Sequence, residues 1–196
     1  NMIKKLLFLL VIVIPIYCYA GEINKDYVYD IEKDMYYTLD GNVYSGTIQD
    51  EYLGHIFTKK VSQGREFYTT QHLPDGSICK YEYAYPKQNT RHVKMYNQYN
   101  KLISEYMTIN HTIEGKFIHY NTIENRVDII FNMKKGKREG IAEVSNKAGS
   151  KWGELLFKND EPISGFCYEP ITRRKVKLSN ITIHNLLSGG EITCSE

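Results

Sequence analysis

The chain repeats itself, and the length of the repeat fixes most of what it can become. Six times an aromatic residue is followed, seven to nine positions later, by a glycine or a residue in its place, and then by a fresh extended stretch. The pairs are Tyr37 with Gly46, Phe57 with Gly64, Tyr83 with His92, Tyr106 with Gly115, Phe131 with Gly140 and Phe157 with Gly165. Their second members stand 18, 28, 23, 25 and 25 residues apart, a mean near 24. Units of that size are single supersecondary elements that cannot bury their own apolar face and must stack on their neighbours.

Inside a unit the residues before the aromatic alternate between two faces. Val127, Ile129 and Phe131 are two apart, as are Leu102, Ser104 and Tyr106, and Gly153, Leu155 and Phe157. Period two is the mark of a strand with one buried face. A second extended stretch follows the glycine, as in 116–120, 141–144 and 166–168. Turn formers lie between: Asp40-Gly41-Asn42, Pro74-Asp75-Gly76, Lys135-Gly136-Lys137, and Asn159-Asp160 before Pro162. Such clusters supply the preset and positive φ angles that reverse a chain. Each unit therefore reads as a hairpin, Gly46, Gly115, Gly140 and Gly165 as turn glycines, and the whole as an all-β, mainly antiparallel protein. A lone hairpin is marginal in water, so rings must bridge successive hairpins. Aromatic residues make up 13% of the chain, 17 of them tyrosines, whose hydroxyls can stay wet at a sheet rim. Helical periodicity is weak, with Ser179 to Leu187 and Ile31 to Tyr36 as the short candidates.

The motif Gly41-Asn42-Val43-Tyr44-Ser45-Gly46 resembles the core of a MORN repeat. Phe131-Asn132-Met133-Lys134-Lys135-Gly136-Lys137-Arg138-Glu139-Gly140, with its cousin Phe157-Lys158-Asn159-Asp160-Glu161-Pro162-Ile163-Ser164-Gly165, is similar to the MORN variant of bacterial proteins labelled YwqK-family antitoxins. The likeness runs over about residues 36 to 170 and is strongest from Tyr96 onward; His92 replaces one glycine and Gly64 arrives early. It implies an elongated, curved antiparallel sheet of stacked hairpins and very little chemistry, since the family is defined by its scaffold.

The ends are not part of the repeat. Met2 to Ala20 carries Lys4 and Lys5, an apolar run from Leu6 to Ile16, and the small residues Cys18 and Ala20 before Gly21, as a secretory signal peptide does. A permanent anchor, the alternative, needs roughly 20 apolar residues, and Pro15 breaks this run early. The expected organisation is a signal at 1–20, an N-terminal cap at 21–36, the hairpin array at 37–170 and a C-terminal capping tail at 171–196, with export to the periplasm or cell exterior. Loss of Lys4 and Lys5 takes the 25 basic residues to 23, equal to the 23 acidic ones. A neutral mature chain gives no support to nucleic-acid binding, which shows a concentrated basic stripe. Outside the reducing cytosol a disulfide is permitted. Cys79 shares the face of Tyr81, Tyr83 and Tyr85 and reads as a buried free thiol, which leaves Cys167 and Cys194 as the natural pair or as two unlinked thiols.

No catalytic, cofactor or metal signature emerges. His55, His72, His92, His111, His119 and His184 follow no zinc-ligand spacing. His119 and Glu114 flank Gly115 and could meet across a turn, but a nucleophile in a pocket would also be required. The expectation is an exported, non-catalytic scaffold that binds another protein, of antitoxin or immunity type if the resemblance extends to function. The alternatives are a peripheral membrane module, which the neutral charge disfavours, and a cell-envelope enzyme acting on glycans, which needs paired carboxylates in a groove.

Overall fold

A computed structural model describes residues 26–188 and Cys194; the expected signal at 1–20 and most of the last residues lie outside them. A small hairpin of β1 (Val28–Asp30) and β2 (Met35–Tyr37) precedes one antiparallel sheet of thirteen strands. The strands are β3 (Gly46–Tyr52), β4 (His55–Ser62), β5 (Arg65–His72), β6 (Ile78–Lys87), β7 (Thr90–Asn97), β8 (Leu102–Ile109), β9 (Thr112–Asn121), β10 (Arg126–Lys134), β11 (Lys137–Arg138), β12 (Gly140–Ser145), β13 (Lys151–Lys158), β14 (Glu161–Tyr168) and β15 (Lys175–Lys177). Each pairs with the next in sequence, except that β11 hangs from β10 and β12 takes the following place. Helix α1 (Asn180–Leu187) follows β15, its N-cap Ser179 accepting a hydrogen bond from the Thr182 amide. The chain is thus all-β and mainly antiparallel, an elongated sheet with a short segment at each end. Of the two helix candidates only the C-terminal one forms; residues 31–36 make the β1–β2 turn and enter β2, with Asp34 at a φ of 53° that interrupts any helix.

Because every connection is a hairpin, the turns collect on two rims. The first rim carries the turns after β3, β5, β7, β9, β12 and β14; the second carries those after β4, β6, β8, β10 and β13. On the second rim the turns are tight. Gln63 and Gly64, Asn110 and His111, Lys135 and Gly136, and Asn159 and Asp160 each hold two successive positive φ angles, as a type I′ turn requires. On the first rim they are mostly longer and closed by side chains: Asn97 Oδ1 accepts from the Tyr99 and Lys101 amides, Asn121 Oδ1 from those of Ile123 and Glu124, and Asn146 Oδ1 from that of Ser150. One turn from each rim and two strands make up the repeat.

The glycines of the repeat lie elsewhere than expected. Gly46 opens β3, Gly115 lies within β9, Gly140 opens β12 and Gly165 lies within β14, so none of the four reverses the chain. Gly115 has a φ of +78° where pairing of β9 with β8 breaks step, and Gly140 a φ of +80° where β10 passes from pairing with β11 to pairing with β12 in a shifted register, so both act as bulge residues. Gly165 is needed for space, because a Cβ there would sit 2.7 Å from Leu155 Cδ2 and 3.1 Å from Ile183 of α1. At Gly46 the ring of Tyr44 occupies the place of a side chain, its hydroxyl 2.6 Å from where a Cβ would stand. Tyr37, the aromatic of the first unit, belongs to β2, so the sheet begins at Gly46.

One face of the sheet is covered. Cross-strand partners run from Ile48 on β3 through Tyr81, Ser104, Ile129 and Val144 to Cys167 on β14 without a break. At one end the β1–β2 hairpin lays Tyr27 and Tyr36 on Ile48 and Val61. At the other, α1 sets Ile183 into the cluster of Leu155, Phe157 and Cys167, and Cys167 is disulfide-bonded to Cys194. Between them Tyr106, Phe117, Phe131 and Phe157 form a ladder with ring centroids 5.2, 6.3 and 5.7 Å apart. Arg138 lies over Phe157, its guanidinium 4.7 Å from the ring centre. Cys79 is free, as expected, but only half-buried.

Candidate interaction surfaces

The histidines and carboxylates distribute as structural groups. His119 faces the covered side opposite Ser104 and Ile129, whereas Glu114 lies opposite Met107 on the other face, where it accepts from the Lys135 amide at 2.8 Å; the two do not meet. Burial lowers the His119 pKa against the opposing pull of Asp128, which keeps the ring neutral. His92 contacts Glu105 at 2.7 Å, His55 contacts Gln71 at 3.0 Å, and His111 approaches the Ile31 carbonyl at 3.3 Å. Among the described residues no three His, Cys, Asp or Glu side chains converge as a metal site. Glu143 and Glu154 are cross-strand partners, a candidate carboxylate pair. However, Lys151 and Lys175 bond Glu154 and hold its carboxyl down at about 2, the reverse of what a general acid needs.

The largest buried polar cluster serves the N-terminal hairpin. Asp34 on the β1–β2 turn is clamped by Arg91 of β7, whose Nε donates to Oδ2 at 2.7 Å while a terminal nitrogen donates to Oδ1. Tyr29 donates to the same Oδ1 at 2.6 Å. The guanidinium lies 5.6 and 5.7 Å from the ring centres of Tyr83 and Tyr85, and Tyr85 donates to the Glu66 carbonyl at 2.8 Å. Tyrosine, arginine and acid here hold one layer on another.

What remains open is a rim, a sheet edge and the second face. Every turn of the first rim presents an apolar residue at its tip: Leu53, Pro74, Tyr99, Ile123, Ala148 and Ile171, all exposed. Leu53 is 76%, Tyr99 75%, Ile123 77% and Ile171 94% accessible. Successive tips are two strands apart, about 10 Å, so the six form a line of about 50 Å. The second rim offers Gln63, Gln88, Asn89, Asn110, His111, Lys135, Asn159 and Asp160 in the same places, none of them apolar. Single exposed apolar residues are ordinary, but a tip in every turn of one rim and none of the other is a patterned surface. The sequence carries that signal as an apolar residue among turn formers at the repeat period, without a motif that marks it.

No family model matches the chain, and no curated protein matches it. Among solved structures, TarM matches at a TM-score of 0.32 and 13% identity, over 60% of this chain and 20% of that one. The chain therefore spans about a fifth of that structure's length, and a likeness at this level carries no argument about fold or activity. The MORN and YwqK resemblance rests on the sequence motifs alone.

Proposed function

We propose that the chain is an exported, non-catalytic repeat scaffold that binds another protein along its first rim. The observation that carries this reading is the row of six exposed apolar turn tips. A turn tip contributes neither to the ladder nor to the core, so apolar side chains at Leu53, Tyr99, Ile123, Ala148 and Ile171 gain nothing for folding and bury apolar area only in a complex, while Pro74 also presets its turn. Export is supported by the Cys167–Cys194 disulfide, a bond that persists in oxidising compartments. Among the described residues no helix is long and apolar enough to cross a membrane. An antitoxin or immunity role is what the YwqK-like motifs add to this reading.

The test is a variant carrying Leu53→Asn, Tyr99→Ser, Ile123→Ser and Ile171→Ser. Asparagine is chosen at Leu53 because φ there is 50°. The variant should keep its melting temperature and lose capture of a stoichiometric protein from the native envelope fraction by at least about tenfold. Undiminished capture refutes the reading. A second reading, a lipid surface, is favoured by the separation of the tips, since single side chains about 10 Å apart can each enter a bilayer interface. Flotation with anionic vesicles, lost in the same variant, selects it.

A further inference from the structure

The two outer strands of the sheet are unlike. β15 is three residues long and carries Lys175 and Lys177, both devices that blunt an edge. β3 is seven residues long, Gly46–Tyr52, has no lysine, arginine or proline, and pairs with β4 in unbroken register. Its turn fixes which groups point outward. Leu53 and Gly54 form a two-residue turn closed by Tyr52 and His55, so Tyr52, Asp50, Ile48 and Gly46 bond to β4. The backbone groups of Thr47, Gln49 and Glu51 then point off the sheet. The Thr47 carbonyl, one of these, is reached by the Tyr44 hydroxyl at 3.2 Å. Among the described residues no backbone partner takes the Thr47 amide or either group of Gln49 and Glu51, which leaves them for another strand, and all three residues are exposed.

We propose that the β3 edge captures an extended segment of the partner protein as a further antiparallel strand, with a basic residue opposite Glu51 and an apolar residue three positions later, beside Ile48. This rests on the protein-binding reading and names a second point of contact for it. The chemistry follows from the side chains beside the groove. Asp50 is neutralised by Lys59 at 2.5 Å and receives the Tyr27 hydroxyl at 3.0 Å, which leaves Glu51 as the charge to be matched. Ile48 lies on the covered face against the tyrosines of the hairpin, so the incoming residue on that side is apolar. A second copy of this chain fits poorly. Antiparallel self-pairing centred on Gln49 sets Ile48 against Asp50 twice, centring on Asp50 or Glu51 sets two like charges opposite one another, and centring on Ile48 calls in both copies on the Thr47 carbonyl that Tyr44 already reaches.

The experiment selects a phage-displayed library of random dodecapeptides against the whole oxidised chain and against two variants. Gln49→Pro removes an outward amide without touching the ladder to β4, and Glu51→Lys reverses the edge charge. Hydrogen exchange should show the Gln49 and Glu51 amides fast in the free protein and slowed by selected peptides. Those peptides should carry Lys or Arg three residues before an apolar residue, bind Gln49→Pro at least about tenfold more weakly, and give way to acidic peptides in selection on Glu51→Lys. Amides already protected in the free chain, no enrichment, peptides indifferent to both variants, or a dimer of the chain that Gln49→Pro abolishes each overturn the proposal. The rim variant separates the two readings. If the native partner is lost with the rim variant and kept by Gln49→Pro, edge capture fails and rim binding stands; if both variants keep it, both fail.

Discussion

Replacing Asp34 by Asn tests what fixes the N-terminal hairpin to the sheet. The carboxylate is almost wholly enclosed and accepts from both Arg91 nitrogens and the Tyr29 hydroxyl. Asparagine fits the same space and tolerates the φ of 53° at this position, so the substitution removes charge without adding backbone strain. It leaves the Arg91 guanidinium buried beside a neutral amide, and breaking a buried pair in this way costs about 3–5 kcal/mol. Because the amide keeps a hydrogen bond, the low end, about 3 kcal/mol at neutral pH, is expected. Burial by itself would raise the Asp34 pKa, but the hydrogen bonds and charge of Arg91, with Tyr29, outweigh it and hold the carboxyl below its ordinary range. A depressed folded pKa means stability that is complete above the unfolded value and lost as pH falls through the folded one. The gap between wild type and Asp34→Asn should therefore be full at neutral pH and close below about pH 4. Hydrogen exchange at the Tyr36 and Gly64 amides, which donate at 2.8 Å to Gly64 and Tyr44 carbonyls, reads undocking of the hairpin directly, and urea unfolding reads any global part. A neutral-pH gap under about 0.5 kcal/mol by both measurements, or a gap that does not close in acid, refutes the assignment of the pair as the hairpin's anchor.

The disulfide and the glycines give two further tests. Cys167 and Cys194 are 27 positions apart, for which the chain-entropy relation gives about 3.5 kcal/mol; reduction, or Cys167→Ser with Cys194→Ser, should lower stability by up to that amount, read by urea unfolding with and without reductant. Gly140→Ala and Gly165→Ala should both destabilise but for different reasons. The first meets open space and costs about 1–2 kcal/mol of left-handed strain, which Gly140→Asn largely relieves; the second crowds Leu155 and Ile183 at ordinary φ, costs about 1–3 kcal/mol, and is not rescued by Asn. Equal behaviour of the two asparagine variants in thermal melts would contradict the separation of roles.

The repeat was legible because strand alternation and turn chemistry are local. Phe131 is buried two residues after Ile129, and the Lys135-Gly136 turn is set by its own φ preferences, so neither needs knowledge of the rest of the chain. The glycine roles were not legible in the same way. Gly165 is required by Ile183, a residue of a helix that packs across it, and Gly140 by a break in pairing between β10 and β12; both depend on what lies opposite in space. The hairpin's anchor was still less accessible, since Asp34 and Arg91 are 57 positions apart and nothing in either neighbourhood marks the pairing. Between Cys167 and Cys194, by contrast, the sequence offered a short choice, because assigning Cys79 to the tyrosine face as a free thiol left those two as the natural pair.

A sheet built from one repeated hairpin makes the same demands at every unit, and those demands exhaust most of its positions. Alternate strand residues are committed to the covered face, where rings such as Phe117, Phe131 and Phe157 seal unit against unit. Four of the five second-rim turns hold the two positive φ angles of type I′ geometry, which favours asparagine, glycine and their like over apolar side chains. The ends are committed to covers, a tyrosine hairpin at one and a disulfide-tied helix at the other, because a repeat array must shield its last apolar faces. On the first rim, three turns are closed by Asn97, Asn121 and Asn146 and leave the tip residue free of backbone duty, while at Leu53 an apolar residue holds a φ of 50° that asparagine or glycine would take more readily. Apolar residues at those tips are what folding alone would replace with polar ones, and β3 is an edge that folding alone would blunt. Both exceptions meet at Tyr52 and Leu53, where the edge strand runs into the first tip. A segment laid along β3 would reach the rim there without crossing the sheet, so one extended partner can engage both surfaces.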